Sequence, residues 1–169
     1  MLKWLWLSAC VFLADQLGKQ AAVRWLDPYE PYPFLPYFNF SLAFNEGAAF
    51  SLLSEAGGWQ RWFFSALAIA LSIVILFWLK NLEPREKLLA TSLSFVLGGA
   101  VGNVTDRILY GKVTDFIDWY YYSSDACLPF FFRLHDASCH WPTFNLADSA
   151  IFLGAVLMIL HALFSKRRR

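Results

Sequence analysis

Residues Leu97 to Trp119 read LGGAVGNVTDRILYGKVTDFIDW, and the rest of the chain has to fold around this stretch. It begins as an uncharged run of small and apolar residues, which is typical of a membrane-spanning helix. Within a few turns it acquires polar and charged side chains, which are costly in a bilayer and by default indicate function or a buried ion pair. These are Asn103, Asp106, Arg107, Lys112, Asp115 and Asp118.

The composition of the whole chain is that of a membrane protein. Of its 169 residues, 58% are hydrophobic and 16% are charged, whereas soluble domains are roughly 25% charged. The length predicts a single domain. A net charge of +1, without a basic face carrying aromatic residues, gives no indication of nucleic-acid binding. We therefore expect an integral membrane protein, mainly α-helical and monomeric, that binds membrane lipid.

Four apolar segments are long enough to cross a bilayer, which requires about 20 helical residues. They predict four transmembrane helices, at residues 4–25, 62–79, 88–107 and 147–165. Most Lys and Arg residues close to these helices lie in the terminal segments and in residues 80–87. Because cytoplasmic segments are enriched in basic residues, the termini (including 166–169) and 80–87 are expected to be cytoplasmic, and 26–61 and 110–146 extracytoplasmic.

The first outward segment combines two patterns. Four prolines between Asp27 and Pro36 exclude a regular helix. From Tyr37 to Leu53, apolar and polar residues alternate as in a half-buried strand, with Gly47 as a turn and Ala48 to Leu53 as a return strand. The expected fold is therefore four transmembrane helices with a small extracytoplasmic β-sheet.

This topology brings two carboxylates to one membrane face. Asp115 follows the outer end of the third helix, Asp148 opens the fourth, and a single outward loop joins them. Two carboxylates in proximity cannot easily both ionise, so the pair can share a proton. One can then activate water while the other polarises a carbonyl, which is aspartic protease chemistry. Asp118, three residues further on, can point to the opposite face of a strand.

Other polar residues within the helices leave two interpretations open. Asp15 and Lys19 share one helical face at a spacing of four residues, and they form either part of a functional site or a structural ion pair. Asn103 and Arg107 have the same spacing and can be a polar helix end that reaches the headgroups.

Small residues predict where helices pack closely. Gly98 and Gly102 form a GxxxG pattern, which is typical of tight helix contacts in membranes. Cys10, in the first helix, is expected to be an inert packing residue.

The cysteines of the second outward loop leave three possibilities. Cys127 and Cys139 face an oxidising compartment, so a disulfide is favoured over free thiols or a metal site. The nearby residues that a metal would need match no standard zinc spacing. The candidate metal ligands near the two cysteines are His135, Asp136 and His140. None of the three histidines, His135, His140 and His161, is expected to serve a Ser or Cys nucleophile.

Five short motifs follow one another along the chain. They are Asp15-Gln16-x-x-Lys19, Asn45-x-Gly47-Ala48-Ala49-Phe50, Gly98-Gly99-Ala100-x-Gly102-Asn103-x-x-Asp106-Arg107, Val113-x-Asp115-Phe116 and Phe144-Asn145-x-Ala147-Asp148. In this order, on a chain with four expected helices, they resemble the bacterial lipoprotein signal peptidase (signal peptidase II) family. The resemblance covers nearly the whole chain.

This resemblance implies an aspartic endopeptidase of the bacterial inner membrane, with its active site on the periplasmic side. It implies lipid-modified prolipoproteins as substrates, cut just before the diacylglyceryl-modified Cys, and no metal or organic cofactor. The catalytic pair corresponds to Asp115 and Asp148. The supporting and substrate-binding residues correspond to Asp15, Lys19, Asn45, Gly47, Asn103, Asp106, Arg107 and Asn145.

Two other classes of protein remain as alternatives. A small transporter or ion-binding membrane protein would line a pathway with Asp15, Lys19, Asp106 and Arg107, but such sites lie near the midplane between inverted repeats, and no repeat is visible. A non-catalytic assembly factor would leave the paired aspartates without a role.

One departure from the family pattern lies between the two aspartates. The segment within Tyr120 to His140 is longer than is usual in the family. We expect a tolerated surface insertion rather than a lid or a partner contact, because loops absorb insertions cheaply.

Overall fold

The computed structural model describes residues 1–28, 30–47, 58–134 and 137–165. Within them, a short 3-10 turn at Leu2–Trp4 leads into the first of four long helices. The helices are α1 (Leu5–Trp25), α2 (Trp59–Asn81), α3 (Lys87–Tyr110) and α4 (Leu146–Ser165). The strands are β1 (Tyr32–Leu35), β2 (Phe38–Asn45), β3 (Val113–Tyr122), β4 (Phe132–Arg133) and β5 (Ser138–His140).

Three helices in the described part of the chain are long and apolar enough to cross a membrane, namely α2, α3 and the Leu146–Phe164 part of α4. Their bounds lie within a few residues of the predicted ones. On α2, large side chains such as Trp62, Phe63 and Phe77 are exposed, as expected of a surface that faces lipid. The chain is a multi-pass membrane protein. The 21 residues of α1 are also enough to span, but this helix buries Asp15 and Lys19.

The glycines of α3 let this helix pack against both α1 and α4. A Cβ atom on Gly98 would lie 2.7 Å from the carbonyl oxygen of Ser8, and one on Gly102 would lie 2.6 Å from Asp15 Oδ2. A Cβ atom on Gly99 would collide with the carbonyl oxygen of Ala147. The close packing predicted from the GxxxG pattern is therefore confirmed, and any larger residue would push the helices apart.

The chain turns directly from α3 into the sheet. Gly111 has φ 80° and its N–H bonds to the carbonyl of Arg107, which is the left-handed ending that favours glycine. Two residues later β3 begins, and it pairs antiparallel with β2, Ala43 opposite Asp115. The segment before α4 is tied to β3 as well, since Ile117 N donates to Phe144 O at 2.8 Å and Phe144 N donates to Ile117 O at 3.1 Å.

The sheet is larger than the sequence predicted. Its strands are antiparallel and lie in the order β1-β2-β3-β5-β4. The alternating pattern correctly predicted β2, whereas the expected return strand at residues 48–53 lies outside the described residues. The interpretation of Tyr110 to Thr143 as one long loop was wrong, because this segment contains β3, β4 and β5. The proline-rich segment also contributes β1, which is possible because β1 is an edge strand, where proline is tolerated.

The extended segment that follows β3 is closed by a covalent bond. Cys127 and Cys139 form a disulfide, with their Cα atoms 5.6 Å apart, so the favoured interpretation of these cysteines agrees with the structure. The bond also removes both thiols from any metal site. Cys10 is a free and exposed thiol, so the prediction that it packs inside the protein was wrong.

This pairing predicts the labelling pattern of the three cysteines. An alkylating reagent applied to the denatured, unreduced protein should modify Cys10 alone, because the other two thiols are bonded. After reduction it should modify all three, as read by intact-protein mass. Three labels without prior reduction would contradict the pairing, and a Cys10→Ser variant, which should take up no label before reduction, is the control.

Candidate active site

A buried cation lies where α1 and α3 cross. The side chain of Lys19 is 2% exposed, and its Nζ lies 2.8 Å from Asp15 Oδ2 and 3.1 Å from Asp106 Oδ2. It also donates to Asn103 Oδ1 at 2.9 Å. An ammonium group has three N–H donors, and here each has an acceptor. The charge can therefore remain inside the protein without an unsatisfied donor.

The two carboxylates of this cluster also fasten the neighbouring elements. Asp15 Oδ1 accepts the backbone N–H of Ala147, at the start of α4, at 2.9 Å. Asp106 Oδ2 accepts the N–H of Thr114, near the start of β3, at 3.1 Å. Gln16 Nε2 donates to Asp106 Oδ1 at 3.0 Å. Asp15, Lys19 and Asp106 bond to one another and are almost fully buried.

Asp148 occupies the first turn of α4 and is held there by a reciprocal cap. The N–H of Asp148 donates to Asn145 Oδ1 at 2.9 Å, and the N–H of Asn145 donates to Asp148 Oδ2 at 3.3 Å. This is the capping-box arrangement, in which a residue just before the helix and the third residue within it satisfy each other's N–H groups. The position also gives the carboxylate the positive end of the helix dipole.

The same asparagine holds the second carboxylate. Asn145 Nδ2 donates to Asp115 Oδ1 at 2.7 Å, and Asn45, on β2, also hydrogen-bonds to Asp115. Asp115 is 2% exposed. Burial, and then the nearby charge of Asp148, raise the pKa of the Asp115 carboxyl to about 8, against the opposing effect of the hydrogen bonds from the two asparagines.

Asn103 connects the cation cluster to this pair of carboxylates. Its Oδ1 accepts from Lys19, and its Nδ2 donates to Asp148 Oδ1 at 2.8 Å. An amide can accept at one end and donate at the other. Asn103 therefore orients Asp148 from the cluster without bringing a positive charge into direct contact with it.

Arg107 lies one turn further along α3. Its Nη2 donates to the carbonyl of Gly47 at 3.1 Å, and Gly47 N in turn donates to Asn45 Oδ1 at 3.0 Å. The guanidinium thus ties the end of β2 to α3. Its Nε is buried and has no hydrogen-bond partner among the residues that the structure describes.

Both carboxylates border one cleft. The cleft has a volume of about 840 Å³, and Asp115, Asp148, Asn103 and Arg107 form its polar side. Most of the remaining surface is apolar. It is formed by the sheet, by α4 and by the segment that leads into α4, including Phe38, Trp119, Trp141, Phe144, Ile151 and Phe152.

The structure brings the predicted catalytic pair and all eight predicted supporting residues into one connected set. Asp15, Lys19 and Asp106 lie behind the cleft, while Asn45, Gly47, Asn103, Arg107 and Asn145 surround the pair Asp115 and Asp148. Gln16 was part of the first motif but was not assigned to the site, and Thr114 was missed. The contact between Asn145 and Asp148 could have been predicted, since Asn-x-x-Asp before an apolar run is the sequence pattern of a capping box.

Two further sequence interpretations are decided by the strand β3. Asp118 points away from Asp115 as expected, and it accepts from Asn39 Nδ2 at 3.2 Å. That no histidine serves a Ser or Cys nucleophile stays a prediction. His140 nevertheless has close polar neighbours, since its Nδ1 lies 2.8 Å from Asp118 Oδ1 and its Nε2 lies 2.8 Å from Ser138 Oγ. These contacts could not be predicted from the sequence, because they depend on the pairing of β5 with β3 and β5 was not predicted. Among the described residues, no three His, Cys, Asp or Glu are grouped to hold a metal.

The buried cluster predicts a large loss of stability when its cation is removed. Lys19→Met leaves Asp15 and Asp106 facing each other without a counter-charge, which should lower the free energy of unfolding by about 3–5 kcal/mol. Thermal unfolding in detergent measures this. The matched control is Arg85→Met, in an exposed ion pair with Glu83 at 2.7 Å, where the loss should be below about 1 kcal/mol. Equal losses would contradict the account.

Comparisons with known proteins identify the family of this chain. A family model described as signal peptidase (SPase) II matches residues 7–164. A lipoprotein signal peptidase of Alteromonas mediterranea is 46% identical, over 94% of this chain and 79% of the relative. One from Polynucleobacter necessarius is also 46% identical, over 94% of this chain and 88% of the relative.

Solved structures share the fold. A structure described as a bacterial membrane enzyme matches with a TM-score of 0.80 and 24% identity, covering 100% of this chain and 92% of the other. A second with the same description has a TM-score of 0.74 and 25% identity, covering 96% and 94%. With the family model matching almost the whole length, the resemblance drawn from the five motifs is confirmed, and the chain belongs to the signal peptidase II family.

Proposed function

We propose that this protein is an aspartic endopeptidase that removes signal peptides from diacylglyceryl-modified prolipoproteins, cutting just before the lipidated Cys. The observation that carries the proposal is that Asp115 and Asp148 border the same largely apolar cleft and hydrogen-bond to the same asparagine, Asn145. Relatives named lipoprotein signal peptidase support the substrate class. Family membership argues against the transporter and assembly-factor alternatives.

The two aspartates divide the chemistry through one shared proton. The pKa of Asp115, raised to about 8 by burial and then by the charge of Asp148, keeps this carboxyl protonated at neutral pH. Asp148 accepts N–H groups from Asn103 and Asn145 and lies at the positive end of α4, which suits the ionised partner. Asp148 is then the base, and Asp115 is the acid.

The reaction follows from these states. Asp148 takes a proton from water as the water oxygen attacks the scissile carbonyl carbon, while Asp115 donates its proton toward the carbonyl oxygen. When the tetrahedral intermediate collapses, the C–N bond breaks and the proton held by Asp148 passes to the departing nitrogen. The products are a signal peptide with a new carboxylate and a lipidated Cys with a free α-amino group. As the intermediate collapses, Asp115 recovers its proton from one of the two hydroxyl groups of the intermediate, and the new carboxyl group of the signal peptide then ionises in water. The pair is thereby ready for another cycle.

The residues around the pair have positioning roles in this proposal. Asn45, Asn103 and Asn145 orient the carboxylates, and Arg107 offers its buried Nε–H to a carbonyl of the substrate backbone. The remaining residues, Asp15, Lys19, Gly47 and Asp106, hold the elements that carry these groups.

The membrane arrangement completes the proposal. We take α1 as a fourth span, so that both termini and residues 80–87 are cytoplasmic and the sheet is periplasmic, in a monomer of the inner membrane. The cleft is bordered on one side by Ile151, Phe152 and Ala155 of α4, where the acyl chains of a substrate can remain in lipid.

Replacing either carboxylate tests the assignment. Asp115→Asn and Asp148→Asn should each lower the cleavage of a diacylglyceryl-modified prolipoprotein by at least about 10³-fold, because neither amide can exchange the required proton. Cleavage is read by mass spectrometry of the freed signal peptide. The control is Asp125→Asn, which changes an exposed carboxylate in the outward loop and should process normally. Near-normal cleavage by either active-site variant would refute the proposal.

The shared proton also predicts how activity and stability depend on pH. Asp115 must hold its proton, so kcat should fall as the pH rises through about 8. Stability should change in the same direction. The Asp115 carboxyl has an ordinary pKa of 3.8 when the chain is unfolded and a pKa of about 8 when it is folded. Its contribution to the free energy of unfolding is therefore complete below pH 3.8 and is lost as the pH rises to about 8. A kcat that stays constant to well above pH 8 would contradict this, with Asp125→Asn again as the control.

A further inference from the structure

The extended segment after β3 is built into the sheet rather than attached to its surface. The disulfide joins Cys127, in this segment, to Cys139, in the middle of β5. β5 pairs with β3, with Cys139 opposite Tyr121, and with the short edge strand β4. A tolerated surface insertion, which we expected from the sequence, needs neither a crosslink nor strand pairing.

A buried polar chain fixes β5 in its place. Asp118 of β3 and Ser138 lie on either side of the ring of His140, each 2.8 Å from one ring nitrogen. The ring of Tyr120 stacks on the imidazole, with the centroids 5.3 Å apart and the planes 15° apart. The orientation of β5 at this point is therefore set by three neighbouring side chains.

Trp141, which follows His140, connects β5 to the cleft. Trp141 borders the cleft, and its backbone N–H donates to the carbonyl of Trp119 at 2.8 Å. Phe131, from the extended segment, packs edge-on behind the indole with the ring centroids 5.4 Å apart. Phe131 in turn packs against Tyr121 at 5.2 Å. The extended segment thus supports one aromatic wall of the cleft.

We infer that Trp141 is a specificity-determining residue, which contacts the substrate beyond the scissile bond, and that Phe131 and the disulfide are positioning elements that hold its ring in the cleft. This inference rests on the proposed function, and it names the part of the substrate that the cleft distinguishes.

The geometry of β3 indicates which part of the substrate that is. Trp141 lies beside Trp119, four residues along the strand from Asp115, which is about 13 Å at 3.3 Å per residue. The strand leaves the end of α3, and its residues Phe116 and Ile117 still pack against Ala22 of α1. Its last residues, Tyr120 to Tyr122, pair instead with β5. The apolar signal peptide has to stay beside the helices in lipid, whereas the mature chain leaves the membrane. Trp141 therefore faces the first few mature residues after the lipidated Cys, and its apolar ring favours apolar side chains there.

The test compares two lipidated substrates that differ only in the third and fourth mature residues, Leu-Leu in one and Ser-Ser in the other. The wild-type protein should cleave the Leu-Leu substrate with a KM lower by roughly tenfold, the usual magnitude for apolar contacts of this size. Trp141→Ala should remove this preference by raising KM for the Leu-Leu substrate, with kcat changing far less. Trp141→Phe, which keeps an aromatic ring, should retain most of it.

The positioning elements have a matched control of their own. Phe131→Ala should weaken the preference in the same direction, as should the double variant Cys127→Ser/Cys139→Ser. Phe132→Ala removes the same kind of ring from the next residue, whose side chain is 54% exposed, and should behave as wild type. The inference would be overturned if Trp141→Ala kept the wild-type ratio of KM between the Ser-Ser and Leu-Leu substrates. It would also be overturned if Phe131→Ala and Phe132→Ala changed this ratio equally.

These outcomes are separable from failure of the proposed function. If the wild-type protein cleaves neither lipidated substrate, the proposed function itself is wrong. If it cleaves both with equal KM, or if all variants lose kcat on both substrates alike, only the role of Trp141 is refuted. Thermal unfolding of each variant identifies any that are misfolded, and Trp141→Phe keeps the test decisive if Trp141→Ala is among them.

Discussion

The buried ammonium group of Lys19 is the interaction on which the rest of the structure depends. A cation inside a membrane protein is tolerated only if acceptors surround it. Here Asp15 from α1, and Asp106 and Asn103 from α3, must meet at one point. That requirement fixes how the two helices cross, and the glycines of α3 make the close approach possible. Because Asp15 also holds the start of α4 through Ala147, the same cluster determines where the fourth helix begins.

Lys19 neutralises the carboxylates of Asp15 and Asp106. It leaves the second pair of carboxylates without a cation in direct contact. Asp115 and Asp148 lie one hydrogen bond further out, reached through the neutral amides of Asn103 and Asn145. Amides set the orientation of a carboxylate and contribute far less to neutralising it than a cation does. In our proposed mechanism these two buried carboxylates share a proton, as two like charges held close together favour.

The helices were predictable from long apolar runs in the sequence. β2 was predictable from the alternation of apolar and polar residues. β3 was not, because its first six residues are buried on both faces and period two is lost when neither face meets solvent. The pairing of Asp15 with Lys19 could be read from their spacing, but the choice of Asp106 as a third partner depends on how α1 and α3 cross. Thr114 acts through its backbone N–H, which leaves no mark in a sequence. Gln16 stood in the first motif, but its bond to Asp106 again depends on how α1 and α3 cross.

Infrared difference spectroscopy of the purified protein tests the central claim most directly, because a protonated carboxyl has a C=O stretching band that a carboxylate lacks. At neutral pH, the difference between the wild-type protein and Asp115→Asn should contain one such band, which disappears as the pH rises through about 8. No protonated carboxyl in that difference, or a band that persists unchanged in Asp115→Asn, would contradict the shared proton on which our account of the site is built.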